Sequence, residues 1–165
     1  MKKLSLLLVT IIMIAFAGCK KDSVDQPAID HKLILAYIKA NNLNAKTTGD
    51  GLYYVVTAPG DSTRPISTST VYVKYSGYVL NGTVKGPDYF DSSYELYEQP
   101  AQLTMASLIK GFAEGLKQFG KGGKGQLIIP SNLGYGSTAV GTIGTQQYIP
   151  ANSILIFDFE LTTFQ

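Results

Sequence analysis

The chain has 165 residues, 45% of them hydrophobic and 16% charged, with 14 basic and 12 acidic side chains. That length suits one ordinary domain, and the composition excludes both a disordered chain, which is more polar, and one embedded throughout in a membrane, which is more apolar. The small net charge excludes the strong basic field of a nucleic-acid-binding surface. Eleven Tyr, seven Phe and no Trp leave phenol and phenyl rings to build the core and any pocket.

Lys2 and Lys3 make a basic start, Leu4 to Ala17 is almost unbroken apolar sequence, and Ala17-Gly18-Cys19 adds small residues and a thiol. The apolar run of about 14 residues is short for a bilayer of ~30 Å, so residues 1–18 read as a secretory signal peptide. Phe16-Ala17-Gly18-Cys19 resembles a bacterial lipobox, which implies cleavage before Cys19 and lipidation of its thiol. Lys20 rather than Asp follows, which by resemblance to Gram-negative lipoproteins implies the outer membrane of the cell envelope, on its periplasmic or surface face. Cys19 is the only cysteine, so no intrachain disulfide can form. Removing residues 1–18 takes away two lysines and leaves 12 basic against 12 acidic side chains.

Residues 19–28 are polar around Pro27 and read as a tether. Asp30 is a good helix N-cap, Ile29 can staple onto Ile34, and Ile34, Tyr37 and Ile38 recur at helical spacing, so residues 29–48 read as a helical extension. His31 has no second His or Cys to join it in a metal site or base pair, and reads as solvent-facing. The period then becomes two, and residues 49–165 form the main domain. Leu52 to Thr57 suits a strand ended by Pro59-Gly60. Val71, Val73, Tyr75, Gly77 and Val79 make the apolar face of a longer strand, and Asn81-Gly82 marks a hairpin turn. Leu103 to Ala106 is a short strand. Leu108, Ile109, Phe112, Leu116 and Phe119 recur at helical spacing, with Gly120 as the C-cap. Leu127 to Ile129 is a strand stopped by Pro130, and Ser131 to Ala151 is a loop long enough to suggest function. Leu155, Phe157, Phe159 and Leu161 alternate along a last strand. The fold class is therefore α+β, a sheet folded over one helix.

Gly115, Gly120 and Lys121 match the spacing of a phosphate-binding loop. Gly122 replaces the hydroxyl that magnesium needs there, and the segment follows a helix rather than a strand, so residues 120–125 read as a tight turn into a strand. One His and one Cys support no zinc site and no nucleophile–base pair.

Four segments carry a resemblance: Val73-Lys74-Tyr75-Ser76-Gly77; Tyr89-Phe90-Asp91-Ser92-Ser93; Leu108-Ile109-Lys110-Gly111-Phe112-Ala113-Glu114-Gly115-Leu116; and Leu133-Gly134-Tyr135-Gly136 with Tyr148-Ile149-Pro150 and the strand to Phe157. In this order they resemble the FKBP-type peptidyl-prolyl cis/trans isomerases over roughly Gly51 to the end. The resemblance implies an antiparallel sheet wrapped across one helix. It also implies proline-containing polypeptides as substrates, no cofactor, no metal, and a site for macrolide-type inhibitors. Rotation about an X-Pro bond faces a barrier of about 18–20 kcal/mol and breaks no bond, so the lack of a nucleophile is in keeping with the reaction.

By resemblance Asp91, Tyr135 and Tyr75 are the catalytic residues, with Asp91 beside the twisting carbonyl and hydrogen-bonded to Tyr75. Phe112 is the pocket floor. Phe90, Leu103, Leu108, Ile109, Ile149 and Phe157 complete the substrate site, the Ile149 N–H holding one substrate carbonyl and the Tyr135 hydroxyl another. The chain departs from the family pattern at Phe112, where Trp is usual, at Ala101, often aromatic, and at Leu96, often Arg; its loop between Tyr135 and Ile149 is also longer. These departures motivate an alternative, a catalytically weak binding module or chaperone.

Overall fold

The computed structural model describes residues 24–94 and 99–165. The signal peptide, Cys19, the first part of the tether and Leu96 lie outside the described residues. Helix α1 spans Gln26–Ala40, with the Asp25 side chain accepting the Ala28 N–H at 3.2 Å. It starts ahead of the expected Asp30 cap because Pro27 opens a helix here instead of breaking one. A proline in the first turn lacks only an N–H that no intrahelical carbonyl needs. Ile29 is exposed, so no staple forms onto Ile34, and Asp30 lies within the helix and is buried. His31 is exposed, as expected, and its Nδ1 is hydrogen-bonded to the Tyr53 hydroxyl at 2.7 Å.

The strands are β1 Ala45–Thr47, β2 Tyr53–Ala58, β3 Thr70–Asn81, β4 Val84–Lys85, β5 Asp91–Ser92, β6 Ala101–Thr104, β7 Gly123–Ile129 and β8 Leu155–Phe164. They form one antiparallel sheet in the order β1-β2-β7-β8-β3-β4, with β5 and β6 also on β3. Strand β3 pairs with β8 from Val71 to Val79, and its other edge is shared along its length by β6, β5 and β4. Strand β1 falls inside the expected helical extension; three residues are too few to show a period of two.

Helix α2 covers only Lys110–Leu116 and ends at Lys117. Leu108 and Ile109 precede it in extended conformation, and Gly120 is not its C-cap but packs on the Asp61 backbone. Gly111 and Gly115 let α2 lie close on β7: a Cβ there would come within 2.4 Å of Ile129 Cγ2 and 2.3 Å of Leu127 Cδ1.

Because side chains alternate across a strand, the sheet has two apolar faces. Leu127, Ile129, Leu155, Phe157, Phe159 and Leu161 pack with Phe112, Leu116 and Phe119 in the main core. Ile128 and Ile156, on the opposite face, pack with Ile34 and Tyr37 of α1. The result is three layers, α1, sheet and α2, in an α+β fold.

Candidate functional site

Strand β3 brings Tyr75 and Gly77 to the inner face of the sheet, and β8 places Phe157 directly across from Gly77. An added Cβ at Gly77 would lie 2.7 Å from both Phe157 Cε1 and Phe90 Cζ, so only glycine lets both rings settle against the sheet. Phe112, on the first turn of α2, stacks on Phe157 with centroids 4.6 Å apart and an interplanar angle of 22°. Tyr75 meets Phe112 edge-on at 5.7 Å, and Phe90 meets Phe157 edge-on at 5.5 Å. Edge-on and offset contacts of this kind are the favoured arrangements for aromatic pairs. The cluster leaves a cavity of about 270 Å³, lined by Tyr75, Phe90, Asp91, Leu103, Leu108, Ile109, Phe112, Tyr135 and Phe157, with Ser107 at its rim.

These are the residues singled out in the sequence, except for Ile149 and Cys19. Ile149 is buried in the core beside the cavity and is not among its lining residues. Its N–H donates to the Val140 carbonyl at 2.9 Å, and the Val140 N–H donates back at 2.9 Å. The proposed Ile149 donor is therefore already spent on the loop's own bridge. The N–H of Ile109, a residue that lines the cavity, has no acceptor among the described residues. Ser107 was missed: one hydroxyl just before an apolar pair carries no sequence signal.

The Tyr75 hydroxyl donates to Asp91 Oδ2 at 2.7 Å, tying the carboxylate to the wall of the site. The Tyr135 hydroxyl has no hydrogen-bond partner among the described residues. Burial pushes its pKa up, and the Asp91 charge pushes it further the same way. Both effects disfavour the phenolate, so the group remains a donor. Phe112 is 3% exposed and Tyr135 37%, which sets a dry floor beneath a reachable hydroxyl. With no His or Cys among its lining residues, the cavity can seat an apolar ring and hydrogen-bond a flanking amide.

Phe90 also walls a second, more open groove of about 380 Å³, lined among others by Val79, Leu80, Pro87, Tyr148 and Pro150. Gln146 Nε2 donates to the Tyr89 carbonyl at 3.0 Å, joining the two loops that flank this groove.

A family model described as FKBP-type peptidyl-prolyl cis-trans isomerase matches residues 61–162. A protein of Buchnera aphidicola (from Schizaphis graminum) named FKBP-type peptidyl-prolyl cis-trans isomerase FkpA is 44% identical over 115 residues, 69% of this chain and 41% of that one. Its namesake in Escherichia coli K12 is 36% identical over 147 residues, 89% of this chain and 49% of that one. The chain spans about half the length of the curated relatives it matches. The crystal structure of FkpA from Escherichia coli superposes with a TM-score of 0.68 at 34% identity, covering 88% of this chain and 62% of that chain. A Pseudomonas syringae peptidyl-prolyl cis-trans isomerase gives 0.65 at 25% identity, covering 84% and 95% respectively.

Proposed function

The chain belongs to the FKBP-type peptidyl-prolyl cis-trans isomerase family, and from that premise we propose that it accelerates X-Pro bond rotation in polypeptides of the cell envelope. One observation carries the reading: Tyr75, Phe90, Asp91, Ile109, Phe112, Tyr135 and Phe157, scattered over more than half the chain, line a single cavity. The proline ring rests on Phe112 between Tyr75, Phe90 and Phe157. The Tyr135 hydroxyl and the Ile109 N–H hold the flanking carbonyls, while Asp91, anchored by Tyr75, faces the carbonyl of the bond that turns. A planar amide is conjugated and well hydrated; halfway through rotation it has lost that conjugation. A dry apolar hollow that binds the twisted form better lowers the barrier, each ~1.4 kcal/mol of preference giving about tenfold in rate. The polypeptide continues past Phe90 into the second groove, whose apolar lining accepts a side chain near the proline. Macrolide-type inhibitors would compete for the same cavity.

A protease-coupled proline-peptide assay tests this. Rates that rise in proportion to protein are expected, and a rate equal to buffer at micromolar protein would remove the enzymatic reading. Phe112, where the family usually has Trp, motivates a chaperone alternative. Suppression of aggregation that persists in Asp91→Ala and Phe112→Ala would favour it, whereas loss of both activities together would favour the enzyme.

We further propose that residues 1–18 are a signal peptide and that a lipid on Cys19 holds the protein at the outer membrane, residues 49–165 being the isomerase domain. The basic, apolar and Gly18-Cys19 pattern supports this. Incorporation of labelled fatty acid that survives in Cys19→Ala would contradict it.

A further inference from the structure

Pro130 opens a short 3-10 turn, Ser131–Leu133, and makes no side-chain cap to it. A proline has no polar side chain with which to do so. The missing cap comes from α1, 101 residues away: Asp30 Oδ2 accepts the Ser131 N–H at 2.7 Å, a buried bond. Oδ1 of the same carboxylate accepts Gln26 Nε2 at 2.7 Å. Asp30 is 1% exposed. A carboxylate is costly to remove from water unless donors meet it, and here two do.

The bonds continue past Ser131. Its carbonyl accepts the N–H of Gly134 at 3.0 Å and of Gly136 at 2.8 Å, and the Gly136 carbonyl accepts the Asn152 N–H at 2.7 Å. Tyr135 lies between Gly134 and Gly136. The turn that carries the cavity hydroxyl is thus tied on both sides to Ser131, and Ser131 is tied to Asp30. Helix α1 is itself firmly seated. Ile34 and Tyr37 pack on Ile128, Ile154 and Ile156, Tyr37 Oη meets Gln126 Oε1 at 3.2 Å, and Asn41 Nδ2 donates to the Thr83 carbonyl at 2.9 Å.

We propose that Asp30 is a positioning residue: from a helix outside the family-matched segment, its carboxylate caps the Ser131 turn and thereby sets where the Tyr135 hydroxyl stands over the cavity. Its kinetic consequence rests on the isomerase reading, whereas its structural half does not.

The experiment combines amide hydrogen exchange with proline-peptide kinetics on the wild-type protein, Asp30→Ala and Asp30→Asn. Asn keeps an oxygen that can accept the Ser131 N–H, so D30N serves as the conservative rescue. In D30A the amides of Ser131, Gly134 and Gly136 should exchange faster by about tenfold or more, while those of Leu127–Ile129 in β7 stay protected. kcat/KM should fall by about tenfold, because a misplacement on the 1 Å scale is enough for such a loss. D30N should restore both to within about threefold of wild type. Unchanged exchange at Ser131 and Gly136 in D30A would overturn the proposal, as would equal acceleration in β7, which marks general destabilisation only. An unaltered kcat/KM beside an active wild type would also overturn it. A wild type without isomerase activity would instead defeat the isomerase reading, and exchange alone would then decide the positional claim.

Discussion

Replacing Gly77 by alanine probes the pocket without touching a polar group. Gly77 has ordinary strand geometry within β3, so alanine meets no backbone strain, and its smaller unfolded-state entropy favours folding by about 0.4–1 kcal/mol. Against this, the new Cβ stands 2.7 Å from both Phe157 Cε1 and Phe90 Cζ, where ordinary contact begins at 3.4 Å. Each ring must retreat by about 0.7 Å, and overpacking of this kind costs about 1–3 kcal/mol. Phe157 has little room to retreat, with Phe112 stacked at 4.6 Å and Tyr75 at 6.0 Å. Net destabilisation of up to about 2.6 kcal/mol follows, a fall in Tm of up to about 10 °C for a chain of this size. Phe157 faces the cavity, and Phe90 has open space on the cavity and second-groove sides, so a displaced pair of rings reshapes the substrate site and kcat/KM for a proline peptide should drop between about ten- and a hundredfold. Thermal melting and the coupled peptide assay measure the two effects separately. A Gly77→Ala protein that melts early yet turns over at the wild-type rate would refute the reasoning, because its rings would have relaxed away from the site.

Tyr75→Phe removes the hydroxyl that holds Asp91. kcat/KM should fall about three- to tenfold, below the usual effect of losing a bond to a charged group because water can reach Asp91. In the double variant with Asp91→Asn the two losses should not add; simple additivity would show that the pair does not act as a unit. Turnover should be flat between about pH 6 and 8, since none of the cavity's lining residues is a histidine or a thiol; a steep limb there would contradict the mechanism. Burial and then the Asp91 charge raise the Tyr135 pKa. Its contribution to stability is therefore complete below the ordinary phenol value of about 10 and lost as pH climbs through the raised folded value. Absorbance titration of wild type against Tyr135→Phe should find the missing phenol titrating above that ordinary value. Tyr148→Ala, in the second groove, should weaken the preference for a phenylalanine over a glycine near the proline by about threefold; an unchanged preference would remove the groove from the substrate path.

Sequence alone determined what depends on neighbours along the chain. The alternation of Val71, Val73 and Tyr75 and of Leu155, Phe157 and Phe159 set the two longest strands and their inward faces, because that period belongs to a strand's own pleat. The order of the four family segments pointed to the pocket residues before any were seen together. Only the tertiary structure decided the matters that hang on a partner far away in the chain. Asp30 was legible as a cap, yet the turn it caps lies 101 residues downstream. Ile149 offered an N–H that Val140 had already taken. Leu108 and Ile109 kept helical spacing but stayed extended, the helix starting only at Lys110. Spacing records which residues can share a face, whereas a hydrogen bond is settled by whichever donor and acceptor the closed sheet brings within about 3 Å.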